Sequence, residues 1–211
     1  MDTPATPKTI ITVQHPESEH HLNGMVGSWG DWALTERGRE QAENIGLNLA
    51  RELKGRRCAL YVSTLRRARQ TAEIISGHLD VMPVAMDRLR ERNLGAAVGQ
   101  SVAWLRENIE QPERTVEDRC FSDAESRRDV WDRLYPFFDE LLSSDVETAV
   151  IVSHGDTLAL FNAMWLRQDP EFLNGCDLFG LSGGVTFLHQ TVEGRRVIRC
   201  MSDLSFMQAP E

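Results

Sequence analysis

Cysteine is scarce in this chain: Cys58, Cys120, Cys176 and Cys200 are the four in 211 residues, and no two of them form a CxxC pair. That spacing excludes a zinc ribbon or a dense disulfide framework, and leaves buried, reduced thiols as the expectation. An apolar run near the ~20 residues of a membrane-spanning helix is also missing. The opening MDTPATPKTI lacks a basic region followed by an apolar stretch, so no signal peptide is expected and the cytoplasm is the default location. Positive charge is in deficit. Lys and Arg total 23 against 32 Asp and Glu, a formal net charge of −9. A nucleic-acid-binding surface is therefore not expected as the main business of the protein. Internal repeats and low-complexity segments are absent too.

What is present is the composition of a soluble globular domain, 41% hydrophobic and 26% charged, in a length that suits one α/β domain. Lys8 to Gln14 is a β-branched run that reads as a buried strand, and Cys58–Val62, Val81–Met86 and Thr148–Val152 read as further strands. Two late strands are expected near Val185–Gln190 and Val197–Met201, with Gly194 at the turn. Between the early strands, Ala42, Ile45, Leu49 and Leu53 fall on one helical face, as do Leu65, Ala68, Ala72, Ile75 and Leu79. Ser126 and Asp129 form a capping-box pattern before a helix carrying Val130, Leu134, Phe137 and Leu141. Pro136 is expected to kink or divide that helix. Another helix is read over Thr157 to Leu166. The stretch from His15 to Trp32 is read as a polar loop. The segment at about 93–123, with a short helix around Ser101–Asn108, is expected to be a lid or insertion within a single domain spanning residues 1–211. The alternation of strand and helix predicts an α/β fold: a largely parallel central sheet with helices on both faces.

Two histidines occupy equivalent places. His15 follows the strand IITVQ and His154 follows the strand TAVIV. Ligands of open α/β sheets bind beyond the carboxyl ends of the strands, so neighbouring strands would bring both imidazoles to one crevice. Gly155 at a helix start would leave backbone N–H groups free for an anion. Taken alone, Arg67 reads as a solvated member of the Arg66, Arg67, Arg69 cluster, and Glu91 as a surface carboxylate between Arg90 and Arg92.

Several ordered segments add a resemblance. VQHPE, DWALTERGREQA, STLRRARQTAEII, LRERNLG and VSHGDTL, with DAES and DVWDR between the last two, resemble the motifs of the histidine phosphatase, or phosphoglycerate mutase-like, superfamily in order and spacing. The resemblance implies that His15 attacks phosphorus and carries a phosphohistidine, that Arg67 holds the phosphate, and that His154 hydrogen-bonds the transferring group. It makes Glu91 the proton donor to the leaving oxygen and then the base for water. These roles suit the chemistry. Phosphoryl transfer needs positioning and charge stabilisation, a neutral imidazole is a nucleophile near pH 7, and guanidinium binds phosphate in a bidentate manner. No cofactor and no metal is implied.

The family's Arg-His-Gly is Gln14-His15-Pro16 here. Gln14 offers an amide where an arginine is usual, and Pro16 removes a backbone donor. Either His21 or Asn23 takes the place of a family asparagine, according to how the loop is aligned. Trp29 and Trp32 either wall a substrate pocket or pack the loop. The segment HPESEHH holds His15, Glu17, Glu19, His20 and His21, all possible metal ligands, but it lacks standard zinc spacing and is read as a solvent-facing polar loop. The implied activity is hydrolysis of a small phosphorylated compound. A catalytically weak phospho-ligand binding protein and a phosphoglycerate mutase-type phosphotransferase are the alternatives. The expected partners are that small molecule and, in a homodimer, a second copy of the chain, with no nucleic acid and no membrane.

Overall fold

A computed structural model describes residues 7–210 of the chain. The part of the opening decapeptide up to residue 6, on which the signal-peptide reading partly rests, lies outside the described residues. The sheet has six strands in the order β3-β2-β4-β1-β5-β6. They are β1 (Lys8–Gln14), β2 (Ala59–Ser63), β3 (Pro83–Met86), β4 (Thr148–Ser153), β5 (Val185–Gln190) and β6 (Arg196–Asp203). The four strands β3, β2, β4 and β1 run parallel, while β5 pairs antiparallel with β1 and β6 antiparallel with β5. The largely parallel sheet read from the alternation of elements is therefore present, with an antiparallel pair added at one edge.

Each face of the sheet is covered by two helices, so the central strands read as nearly unbroken apolar runs. On one face, α2 (Glu36–Leu53) and α3 (Arg66–Leu79) set Ile45, Leu49, Ala68, Ala72 and Ile75 against Ile11, Val13, Val62 and Val152. On the other, α5 (Arg127–Ser143) and α6 (Gly155–Trp165) set Leu134, Phe137, Leu160 and Trp165 against Ile10, Ile151 and Leu188. Thr35 caps α2 by accepting from the Gly38 N–H, and Ser126 with Asp129 forms the expected capping box on α5.

Three expectations need correction. The loop after β1 contains a short helix, α1 (Glu19–Asn23). Its five residues hold too few turns to display a periodic apolar face. Pro136 does not divide α5, which runs unbroken through it. Both Pro136 and Asp132, whose carbonyl loses its i+4 donor there, are exposed, which leaves the helix open to solvent on that face. Of the four thiols, all unpaired, only Cys120 is buried, and Cys176 is exposed. Residues 93–123, expected as a lid or insertion, include α4 (Val102–Asn108). They build a small core of their own from Ala97, Cys120 and Phe121, joined by Val26 from the loop after β1. A Met25–Ser101 bridge ties the same two segments together.

Candidate active site

The register of the sheet fixes where the two histidines meet. Gln14 lies opposite Ser153 in the β1–β4 ladder, so His15 and His154 leave adjacent parallel strands at the same level. The His15 N–H extends the ladder to the Ser153 carbonyl at 3.1 Å. The ring centroids are 5.1 Å apart in an edge-to-face arrangement, and both side chains are buried.

Each imidazole is oriented by a second contact. His15 Nδ1 lies 2.9 Å from the Pro16 carbonyl. A carbonyl only accepts, so the proton sits on Nδ1 and Nε2 keeps its lone pair. That lone pair accepts from Arg67 Nε at 3.0 Å. His154 Nε2 lies 2.7 Å from the Ser63 hydroxyl at the end of β2. His154 Nδ1 is buried without a hydrogen-bond partner among the described residues, an orphan that an incoming polar group would satisfy. Burial first, and the Arg67 charge second, hold both histidines well below the usual imidazole range, so both are neutral.

Arg67 is not the solvated arginine its neighbours suggest. It is 1% exposed at the start of α3, while Arg66 and Arg69 are exposed. Beyond His15, its guanidinium donates to the Gly30 carbonyl at 3.1 Å and to the Ser28 carbonyl at 2.9 Å. Two of its five N–H groups are left over by this count. Burial lowers its pKa to about 10, against the pull of Glu91 and Asp31.

Glu91 follows the short 3₁₀ turn Asp87–Leu89. Its carboxylate faces the first turn of α6, where the Asp156 and Thr157 N–H groups approach it at 3.3 Å and the Thr157 hydroxyl at 3.4 Å. The helix-start donors expected to await an external anion at Gly155 therefore meet the protein's own carboxylate. Gly155 has a packing reason to be glycine: a Cβ there would lie 2.3 Å from the Phe179 ring. Burial, and then the Asp156 charge, raise the Glu91 carboxyl above the ordinary carboxylate range. Asp156 itself is held by Arg92 and Arg127, each at 3.0 Å. Arg133 grips the Arg90 and Glu91 carbonyls, and Trp29 Nε1 donates to the Glu91 carbonyl at 2.6 Å with Arg90 stacked on its ring. Trp29 thus fixes the acidic segment, and Trp32 packs the loop by donating to the Val26 carbonyl.

The loop after His15 places His21 and Asn23 differently. The His21 ring is stacked on His15 with centroids 5.6 Å apart. The exposed Asn23 side chain instead accepts from the Met25 N–H and closes a turn. Gln14 is buried, and its Oε1 is 3.6 Å from where a Cβ on Gly180 would stand. The His20 ring, expected in a solvent-facing loop, has its centroid 5.8 Å from that of His15. Ser63 and the Ser28 and Gly30 carbonyls were missed as well. Carbonyl acceptors for an arginine leave no trace in residue type, but the Ser63-Thr64 pair at the end of β2 was a readable signal.

His15, His20 and His21 each place a nitrogen within 4.8 Å of the other two, the grouping among the described residues that resembles a metal site. Its surroundings suit an anion better. Both His15 nitrogens are engaged, Arg67 stands against the group, and the neighbouring Glu17 and Glu19 accept from Thr35 and the Ala33 N–H.

A family model described as "Histidine phosphatase superfamily (branch 1)" matches residues 10–202. A 2,3-bisphosphoglycerate-dependent phosphoglycerate mutase of Bartonella bacilliformis is 29% identical over 162 residues, 72% of this chain and 78% of its own. Among solved structures, Bacillus stearothermophilus YhfR superposes with a TM-score of 0.79 at 25% identity, covering 95% of this chain and 100% of its own. A mycobacterial glucosyl-3-phosphoglycerate phosphatase in complex with inorganic phosphate gives 0.78 at 22% identity, covering 96% and 100%. No described helix is long and apolar enough to cross a membrane.

Proposed function

The chain belongs to the histidine phosphatase superfamily, and on that premise we propose that it hydrolyses a small phosphorylated compound through a phosphohistidine at His15. The observation that carries this reading is the His15 Nε2 lone pair, fixed by the Pro16 carbonyl and held 3.0 Å from the buried Arg67 guanidinium, beside the neutral His154. Phosphate entering this space takes over the Arg67 N–H from His15 and frees the nucleophile. The His15 Nε2–phosphorus bond forms as the ester P–O bond breaks, and the leaving oxygen takes the Glu91 carboxyl proton. Water then attacks phosphorus and gives a proton to the Glu91 carboxylate, the N–P bond breaks, and inorganic phosphate leaves. Arg67 and the His154 Nδ1 donate to the equatorial oxygens, where charge accumulates. The His154 tautomer that donates from Nδ1 accepts the Ser63 hydroxyl proton at Nε2.

Gln14 lies one residue before the nucleophile. A neutral amide in place of an arginine weakens a phosphate contact by about 1–2 kcal/mol, so modest turnover is expected. Reading the protein as a mutase draws support from the phosphoglycerate mutase relatives. The two readings differ only in whether water or substrate accepts the phosphoryl group. Cytoplasmic residence fits the unpaired thiols.

The test is a panel of phosphate esters, with phosphoglycerate and glucosyl-phosphoglycerate included, scored for free phosphate and for phosphoglycerate isomerisation. Phosphate release that His15→Ala abolishes supports the hydrolase. Isomerisation without release supports the mutase. Full turnover in His15→Ala overturns both.

A further inference from the structure

The site has a charge problem. Its nucleophile faces one permanent cation, Arg67, and three neutral imidazoles, His154, His20 and His21. The carboxylates close enough to act on these groups, Glu91 and Asp31 on Arg67 and Glu17 on His21, oppose a dianion. The more distant Arg133, which acts on His154, is already committed to Glu125 and to the backbone of Arg90 and Glu91. A phosphate ester brings up to two negative charges into this space.

The imidazoles are not equivalent. His15 must keep its Nε2 lone pair to act as nucleophile. His154 is 0% exposed, with its Nε2 against the Ser63 hydroxyl. His20 is half-buried and His21 is exposed, so both exchange protons with water. Both are also held in place. His20 Nδ1 lies 2.9 Å from the Ser18 hydroxyl, and His21 Nδ1 accepts from the Ser18 N–H at 3.2 Å. The two rings are 4.0 Å apart. His20 is accommodated by a glycine, since a Cβ on Gly27 would lie 2.7 Å from its Nε2. The 4.8 Å within which His15, His20 and His21 each bring a nitrogen is a span that the oxygens of one tetrahedral anion can bridge, with N–H···O contacts of about 2.9 Å.

We propose that His20 and His21 are the proton-accepting half of the anion site: a tetrahedral dianion arriving beside His15 is balanced by protonation of this imidazole pair, and binding takes up about one proton from solvent. The dianion supplies the attraction that favours an imidazolium, while the rings' mutual repulsion limits uptake to one proton for the pair. The site then carries a second positive charge only when an anion is present. Without one, the pair stays neutral beside Arg67. The inference rests on the phosphatase reading only in placing the anion beside His15.

Sulfate is a suitable probe, being a tetrahedral dianion that does not itself titrate near neutral pH. Calorimetric titration of the whole protein in buffers of different ionisation heat counts the protons taken up. The unmodified protein is expected to take up about one, with affinity falling up to about tenfold per pH unit as pH rises. The double variant His20→Gln, His21→Asn, which keeps polar groups beside Ser18, is expected to lose this uptake and the steep pH dependence. The imidazole ¹⁵N shifts of His20 and His21 in the unmodified protein supply a measurement that needs no variant, and should move to the imidazolium position on sulfate addition. Binding without proton uptake, uptake unchanged in the double variant, or a shift confined to His15 and His154 would overturn the inference alone. Sulfate that does not bind, or binds His15→Ala as tightly and leaves every imidazole shift unmoved, overturns the anion-site reading as well.

Discussion

Glu91 owes its proton affinity to its neighbours. Partial burial favours the neutral acid, and so does Asp156, whose charge is held nearby by Arg92 and Arg127. The acid form therefore persists to higher pH than for an ordinary carboxylate, and turnover that needs a proton donor falls as pH rises through that raised pKa. Asp156→Asn removes the negative neighbour, so the alkaline fall of kcat/KM is expected at lower pH. An unchanged profile would mean that Glu91 is not the titrating acid. Glu91→Gln should slow esters with poor leaving groups by about 10²–10⁴-fold, and barely touch p-nitrophenyl phosphate, whose leaving group needs no proton. The candidate site was largely legible at this scale. His15, His154, Arg67 and Glu91 stand in recognisable segments, and the structure brings all four together. The His20–His21 pair was not legible, because its meaning depends on a short helix that turns two sequence neighbours back toward His15.

At the scale of elements, α6 does two jobs with one end. Its first N–H groups hold Glu91, and its first residue, Gly155, lets the Phe179 ring approach the helix. A methyl group at Gly155 must displace that ring. Phe179 is 51% exposed and can swing into solvent, so Gly155→Ala is expected to cost only about 1–3 kcal/mol. The larger effect should be on the loop carrying Phe179, read as shifted ring resonances and a changed KM. A protein that loses Glu91 function without movement of Phe179 would contradict this account. The strands and long helices were legible because two or more turns, or several β-branched residues, repeat a period that burial enforces. The site-bearing loops were not, since they are organised by single contacts. Ser18, for example, binds two imidazoles, and Gly38 admits the Glu17 carbonyl, which a Cβ would meet at 1.9 Å. Pro136 does not divide its helix for the opposite reason: its local rule is real, but it falls on an exposed face.

For the whole molecule, neutral buried histidines set an acid limit. His15 and His154 have folded-state pKa values below the unfolded imidazole value, so the unfolded chain binds protons that the native protein refuses. Their contribution to stability is complete above pH ~6.5 and is lost as pH falls below it, at up to about 1.4 kcal/mol per pH unit for each histidine. Urea midpoints should therefore drop between pH 7.5 and 5.5, and His154→Asn should flatten the drop. A midpoint insensitive to pH over that range would contradict the burial of these rings. The sheet order carries a different consequence, one for synthesis on the ribosome. β1 is the first made of the six strands described, yet its parallel partner is β4 and its antiparallel partner is β5. Roughly 130 residues must follow Gln14 before Thr148 exists, which at about 5–20 residues per second is a delay on the order of ten seconds. Throughout that interval the run Ile10, Ile11, Thr12, Val13 has no strand beside it. The segment that will carry the nucleophile is thus made before the other five strands of the sheet yet is among the last to find its neighbours, and a chain stalled before residue 148 presents it as a sticky, chaperone-accessible stretch.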